Sequence, residues 1–305
     1  MTTAPNAALL PSALTPPPRA RRSLTDTVSR AKSAVMFRVC VYFTVLILAT
    51  LAVVTGFLTS IGAGSLSWSF FTELPTGIPA APGGMKHAIV GSGILIGLAS
   101  AVGIPVGLLA GVYLAEYEAG SWIAAPVRFT ADVLAGVPSI VVGILGYELL
   151  VRPLGSYNGW AGAAALAFIM IPIAARTTEE MLRLVPNSYR EASLALGASK
   201  ARTIVSVVLP AATGSVVTGV MLAIARVAGE TAPLLFTAGI SRYLQTDPSE
   251  QFPSLTVQIT KFAEHPTPET RSLAWGGILV LISLIFLINL SIRVVTRSKR
   301  VGPAK

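Results

Sequence analysis

Charge is scarce in this sequence. Of 305 residues, 12% are Asp, Glu, Lys or Arg and 53% are hydrophobic, whereas a soluble domain carries roughly 25% charged residues. Too few ionised groups are present to coat a globule of this size in water. The composition therefore excludes an ordinary soluble domain and puts lipid over much of the surface. Cysteine is nearly missing. Cys40 stands alone, which excludes an intrachain disulfide, and its place in an apolar run makes it a small buried apolar residue. The two histidines, His87 and His265, fall far apart in outer loops. With no carboxylates clustered in the apolar runs, no metal site is expected. No Ser/His/Asp arrangement suggests a hydrolase. No Gly-Lys pair occurs, so the phosphate-cradling Gly-x-x-x-x-Gly-Lys-Ser/Thr loop is missing. The chain is not expected to bind ATP or another cofactor, or to be an enzyme. The alternating ten-residue segments of a membrane β-barrel are missing too.

Long apolar runs are what the sequence does have. Residues 1–34 come first, rich in Pro, Ala, Ser and Arg and without apolar periodicity, and they read as a disordered basic tail. Val39 to Leu58 is then almost unbroken in its apolarity, long enough to span a bilayer at about 1.5 Å per residue. A signal peptide would have a shorter apolar core nearer the start, so this run reads as an uncleaved first helix. Further spans are predicted near 88–114, 130–151, 159–175, 208–229 and 273–295, with loops at 60–87 and 238–271. Backbone amides in hydrocarbon must be satisfied within their own segment, so each span is predicted helical. The fold class is an all-α integral membrane protein of about six transmembrane helices. One transmembrane domain covers 35–300, and 301–305 forms a C-terminal tail.

The net charge of +9 is unevenly placed. Lys and Arg concentrate before the first span, between 176 and 207, and after the last span, with Arg128 between the second and third spans. The remaining connections hold only Lys86, Arg152, Arg242, Lys261 and Arg271. By the positive-inside rule both termini are cytoplasmic. Basic residues so distributed mark membrane faces rather than a nucleic-acid groove.

Within the second span Gly103, Gly107 and Gly111 recur every four residues, and Gly93 and Gly97 share the spacing. Small residues at this spacing let helices approach closely in lipid, so the stripe reads as helix packing. Pro105, Pro138, Pro172 and Pro233 lie in or near spans, where kinks often line a path or a hinge. The segment 176–210 is too polar for lipid yet is patterned in short helices. Ser188 and Glu191 have the spacing of a capping box. A helix of about two turns to Leu196 would stop at Gly197, and Ser199 would cap the helix that leads into the fifth span.

Glu191-Ala192-Ser193, then Gly197, then Val207-x-Leu209-Pro210 resembles the EAA loop of ABC importer permeases, with Ser for the third residue and Val for Ile as mild departures. The resemblance implies that Glu191, Ala192, Ser193 and Gly197 belong to a coupling helix that docks on a separate ATPase subunit. Arg226-Val-Ala-Gly-Glu230-Thr231-Ala-Pro233-Leu-Leu-Phe-Thr-Ala-Gly239 is similar to the signature of phosphate permeases of the PstA type. The stretches Leu134–Gly143 and Ile171–Leu182 agree with it, and the likeness covers roughly 37–300. It implies one permease subunit of an ATP-driven phosphate importer in a bacterial plasma membrane. Its implied partners are a related second permease, two ATPase subunits that use the ATP, an extracytoplasmic phosphate-binding protein and inorganic phosphate.

Arg226 and Glu230, four apart, would share one helix face. A charge near mid-membrane costs about 2.5–3.5 kcal/mol, so such residues usually face a cavity or a partner. The planar guanidinium matches phosphate oxygens, and Glu230 would hold it ready. A purely structural ion pair remains the other reading. Thr231 and Arg176 complete the candidate anion path, although Arg176 is equally well placed as a positive-inside anchor. End effects account for Asp132 and Glu148. Two other functions stay open: a permease for sulfate or molybdate, and a self-sufficient secondary anion carrier. Against the carrier, no internal repeat is visible.

Overall fold

The computed structural model of the chain describes residues 24–78, 81–117 and 122–298. Most of the expected N-terminal tail and all of the expected C-terminal tail lie outside the described residues. The chain divides into two compact units, residues 1–55 and 56–305.

In the first unit the described chain is all one helix, the start of α1 (Leu24–Gly62). Residues 24–34 are therefore helical, where a structureless tail was expected. The reason is local: neither Pro nor Gly occurs between Leu24 and Thr55, so nothing stops the helix. The Thr44 and Thr50 hydroxyls donate to the carbonyls of Cys40 and Leu46 at 2.8 and 2.9 Å. Hydroxyls satisfied in this way are tolerable in lipid. Cys40 is exposed on this helix rather than buried.

The second unit opens with the end of α1, a 3-10 turn (Ala63–Ser65) and α2 (Trp68–Thr72), whose first turn is capped by the Ser67 side chain. Strands β1 (Pro75–Ile78) and β2 (Ala81–Gly83) form a small antiparallel hairpin with Pro75 opposite Gly83. Then come α3 (Lys86–Glu116), α4 (Ala124–Gly136) and α5 (Ser139–Gly146), which continues through a π turn (Tyr147–Val151) into α6 (Arg152–Leu154). Asn158 caps α7 (Gly159–Arg183), with its side-chain oxygen accepting from the Ala161 amide. The polar connection carries α8 (Asn187–Ala195) and α9 (Lys200–Thr203), which runs through a second π turn (Ile204–Val208) into α10 (Leu209–Ala228). Helices α11 (Ala232–Thr237), α12 (Leu255–Ala263) and α13 (Pro268–Ser298) complete the unit.

Among the described residues five helices are long and apolar enough to cross a membrane, or six if the bent pair Ala124–Gly136 and Ser139–Leu154 counts as one span. The protein is thus a multi-pass α-helical membrane protein. The third span was predicted as one helix over 130–151. It is broken instead, bent by 102°. Val137 before the proline is extended, and Pro138 has no N–H to continue the ladder.

Helix α7 lies against α3 along the glycine stripe. A Cβ on Gly107 would meet the Ala174 Cβ at 2.6 Å, and one on Gly111 would meet the Ala175 carbonyl at 2.5 Å. Gly103 faces Met170 in the same way. Gly93 and Gly97 differ, because a Cβ there would meet nothing within 4 Å. Three of the five glycines of the predicted stripe form a packing seam. The central core joins Leu95 and Ala99 of α3, Leu166 and Met170 of α7, and Ala223 and Val227 of α10.

The connection 238–271 is not simply an outer polar loop. Leu255, Val257 and Ile259 on α12 are buried, as is Phe252 just before it. The Leu255 amide donates to the Ser92 hydroxyl at 2.7 Å. His87, expected in an outer loop, is fully buried at the start of α3.

Candidate functional site

The polar connection begins later than expected. Arg176 to Arg183 continue α7, and α8 follows after a short turn. No residue of α8 is buried. The predicted capping box does not form: Pro186 occupies the N-cap position and no side chain caps the helix, which leaves Ser188 inside its first turn. Gly197 has φ +83°, as its predicted role as a helix stop requires. Ser199 caps α9 as predicted, its hydroxyl accepting from the Arg202 amide at 3.3 Å.

Two contacts fix α8 to the rest of the unit. Arg190 Nη2 lies 2.6 Å from Glu116 Oε1 at the end of α3, and the same guanidinium donates to the carbonyls of Val185 and Leu182. The hydroxyls of Ser193 and Thr203 lie 2.9 Å apart, tying α8 to α9. Of the predicted coupling residues, Glu191 and Ala192 are exposed, Ser193 is half-buried in that hydrogen bond, and Gly197 makes the turn. Leu196 beside it is 90% exposed. The outcome is a rigidly anchored helix with an unpartnered outer face.

Arg226 and Glu230 do not share a helix face. Helix α10 ends at Ala228 with Gly229 as its C-cap, so Glu230 lies beyond the last turn. Among the described residues no ion pair joins the two. They meet differently, as lining of one cavity of about 190 Å³. Its other walls are the broken segment 134–139 and Ile169 and Ile173 of α7. The Glu230 carbonyl accepts from the Thr256 hydroxyl at 2.8 Å, which holds this backbone against α12. Thr231 precedes α11 and is not part of the cavity lining.

Arg176 is not in that cavity either. On α7 it lies one turn beyond Ile173, about 4.5 Å further along the axis. Its Nε is 2.8 Å from Asp132 and its Nη1 3.0 Å from Glu179. Glu179 is 2% exposed and also receives Arg128 at 2.7 Å and Arg183 at 3.0 Å. Asp132 therefore has a partner across the α4–α7 contact, beyond any helix-end effect. Glu148 pairs with Arg152 within its own helix turns at 2.6 Å.

Glu116 and Glu179 are the two residues that the sequence reading left without a role. Glu116 pairs with Arg190, 74 positions away, and Glu179 with Arg128, 51 positions away, which no local spacing reveals. Only Arg176 and Arg183, at three and four residues from Glu179, are at helix spacing. One available signal was a carboxylate at the end of an apolar span, where an uncompensated charge is costly. Among the described residues no group of His, Cys, Asp and Glu is arranged to hold a metal ion.

Comparison with known proteins gives a consistent picture. A family model described as binding-protein-dependent transport system inner membrane component matches residues 103–301. A phosphate transport system permease protein PstA from Yersinia pestis is 45% identical over 239 residues, covering 78% of this chain and 81% of the relative. The protein of the same name from Haemophilus influenzae is 41% identical over 254 residues, covering 79% and 90%. Mycobacterium tuberculosis has a PstA 1 that is 42% identical over 213 residues, covering 68% of each chain. Among solved structures, an inward-facing MetNI methionine ABC transporter superposes with a TM-score of 0.55 at 19% identity, over 70% of this chain and 92% of that one. That likeness concerns the fold alone.

Proposed function

The chain belongs to the family of binding-protein-dependent transport system inner membrane components, and from that premise we propose that it is a permease subunit of an ATP-driven phosphate importer. The observation that carries the ATP-driven part is α8. It is anchored through Arg190 and Ser193 yet buries none of its residues, as a helix that docks on another protein must. The chain lacks a phosphate-cradling loop of its own, so ATP is bound and hydrolysed by two separate ATPase subunits and this chain is not catalytic. The phosphate part rests on relatives that carry that substrate in their names over most of this chain.

The geometry suggests how such a subunit works. The cavity at the broken span offers the Arg226 guanidinium to an oxyanion, whose oxygens match its planar fork. Glu230, in the same cavity but outside ion-pair distance, repels the anion and keeps its stay short. The α7 face that carries Ile169 and Ile173 leads on to Arg176. Motion of α8 reaches α3 through Glu116, and it reaches α10, which carries Arg226, through α9 and the π turn at 204–208. A related second permease supplies the other half of the path, and an extracytoplasmic binding protein delivers phosphate. We assign α8 to the cytoplasmic face of a bacterial cell membrane. With the bent pair counted as one span, six spans bring both termini to that same side, in keeping with the positive-inside distribution of Lys and Arg.

The test is phosphate uptake into proteoliposomes holding the permease pair, with and without the ATPase subunits. Uptake is expected only with the ATPase, ATP and binding protein together. Uptake driven by an ion gradient alone would instead make the protein a secondary carrier. Uptake of sulfate or molybdate in preference to phosphate would change the substrate.

A further inference from the structure

Beyond the cavity, the same α7 face carries a charge cluster around Arg176 in which Glu179 has been given no role. Glu179 sits at its centre, 2% exposed. Its Oε1 receives Arg128 of α4 at 2.7 Å and Arg183 at 3.0 Å, and its Oε2 receives Arg176 at 3.0 Å. Three guanidiniums from two helices thus converge on one carboxylate. The carboxylate presents to them what a small oxyanion would: two oxygens, negative charge and in-plane acceptors. Asp132, 51% exposed in its side chain, holds the Nε of Arg176 from the α4 side at 2.8 Å.

The location gives the cluster its meaning. Ile169, Ile173 and Arg176 follow one another on one face of α7 at spacings of four and three. The first two line the cavity that contains Arg226. An anion leaving that cavity along α7 toward the α8 end meets Arg176 next. Three arginines without a resident carboxylate would hold an oxyanion there by charge-assisted bonds to several donors. Release would then be slow, because bonds that favour binding oppose departure.

We propose that Glu179 is the positioning residue of the exit side of the path: it holds Arg176 and Arg128 across α4 and α7 and, as a resident carboxylate, keeps a passing oxyanion from being retained there. The proposal rests on the phosphate-permease reading and adds to it a residue that the anion itself does not need to touch. It distinguishes a structural ion pair, which only stiffens the helix contact, from a group that sets how tightly this end holds anions.

The experiment uses the complete reconstituted complex, with binding protein on one side and ATP on the other. Inorganic phosphate is added on the ATP side, and its half-inhibitory concentration for binding-protein-dependent uptake is measured. Glu179→Gln keeps the shape and removes the charge. It is expected to lower that concentration by about ten-fold or more, the order of a lost charge-assisted bond. The apparent KM for loaded binding protein should not change. Glu179→Asp keeps the charge and is expected to return the inhibition most of the way to wild type. Asp132→Asn removes the other, more exposed partner of Arg176 and is expected to shift inhibition the same way by a smaller factor. If Glu179→Gln does not assemble, the Asp132→Asn result decides. Unchanged inhibition in the variants that assemble would overturn the proposal, as would slower uptake at wild-type sensitivity to phosphate. Absence of phosphate uptake by the wild-type complex would remove the reading on which the proposal rests, and the proposal with it.

Discussion

The two sides of α7 are held by opposite means. Toward α3 the contact is a seam of Gly103, Gly107 and Gly111 against Met170, Ala174 and Ala175. It contains no charge and leaves almost no space. Toward α4 the contact is the group of Arg128, Asp132, Arg176 and Glu179, and the helix it holds ends at a break bent by 102°. Close packing in lipid resists sliding, because each atom displaced loses many small attractions and gains an overlap. Ion pairs with partly exposed partners can exchange one oxygen for another. One side of α7 is therefore a fixed frame. The other borders the cavity, the break and the arginines, and it is there that an anion can be handled.

The largest effect expected from breaking this comparison is on the frame. Gly107→Leu would put a Cβ 2.6 Å from that of Ala174 and 2.9 Å from the Ile171 carbonyl. Overpacking of this kind costs about 1–3 kcal/mol, and backbone on one side of the site pushes the cost to the upper end. The assembled complex should lose yield and melt at lower temperature by size-exclusion and thermal-shift measurements. Gly97→Leu has the same stripe spacing but open space around it. It should leave both readouts unchanged, and equal damage from the two variants would contradict the seam.

A smaller effect is expected at the docking helix. Gly197→Val places a β-branched residue at φ +83°, at a cost of about 1–2 kcal/mol. No atom lies within 4 Å of a Cβ there, so the damage is to the turn and not to packing. Binding-protein-stimulated ATP hydrolysis and co-purification of the ATPase should both fall while the permease still inserts. Normal stimulation would remove α8 from the coupling role. The smallest effect is expected for Arg152→Gln. Arg152 and Glu148 form an exposed pair within one helix stretch, with side-chain exposures of 71% and 48%. Pairs of that kind contribute little. Neither stability nor uptake should change measurably, in contrast to variants of the pairs made by Glu179.

The two sides of α7 also differ in how far they can be read from the sequence. The glycine seam follows from one helix's own spacing, so it was legible, although the stripe extends to Gly93 and Gly97, which pack against nothing. Span existence was legible for the same reason, since an apolar run is a local property. The bend at Pro138 was not, because composition reports that a segment is apolar and is silent on its direction. Gly197 and Ser199 acted as local rules require. Ser188 did not, since Pro186 starts α8 first. The four-residue spacing of Arg226 and Glu230 failed because α10 stops between them, at a glycine already visible in the motif. What brings them together is the cavity wall, made from 134–139 nearly a hundred residues earlier. Glu116 was missed because its partner Arg190 comes from another helix, and Glu179 because the near spacing of Arg176 and Arg183 does not reveal Arg128 of α4 or the burial of the carboxylate. The buried first half of α12 was missed because its apolar residues alternate with Thr and Gln, which weakens any window average. Local spacing finds frames and turns, while the parts that handle charge are assembled from distant segments.

The central claim is that the cavity at the broken span, with Arg226 in it, is where the anion is handled. The direct measurement is phosphate moved per ATP hydrolysed by reconstituted complexes carrying Arg226→Ala or Arg226→Lys, with subunit assembly checked in the same preparations. No ion pair ties Arg226 to Glu230, so assembly should survive both changes. The account predicts that both variants hydrolyse ATP when loaded binding protein is added and move little or no phosphate, the lysine failing because an ammonium cannot reproduce the guanidinium fork. Near-normal uptake per ATP by Arg226→Ala would contradict the account and leave Arg226 outside the mechanism.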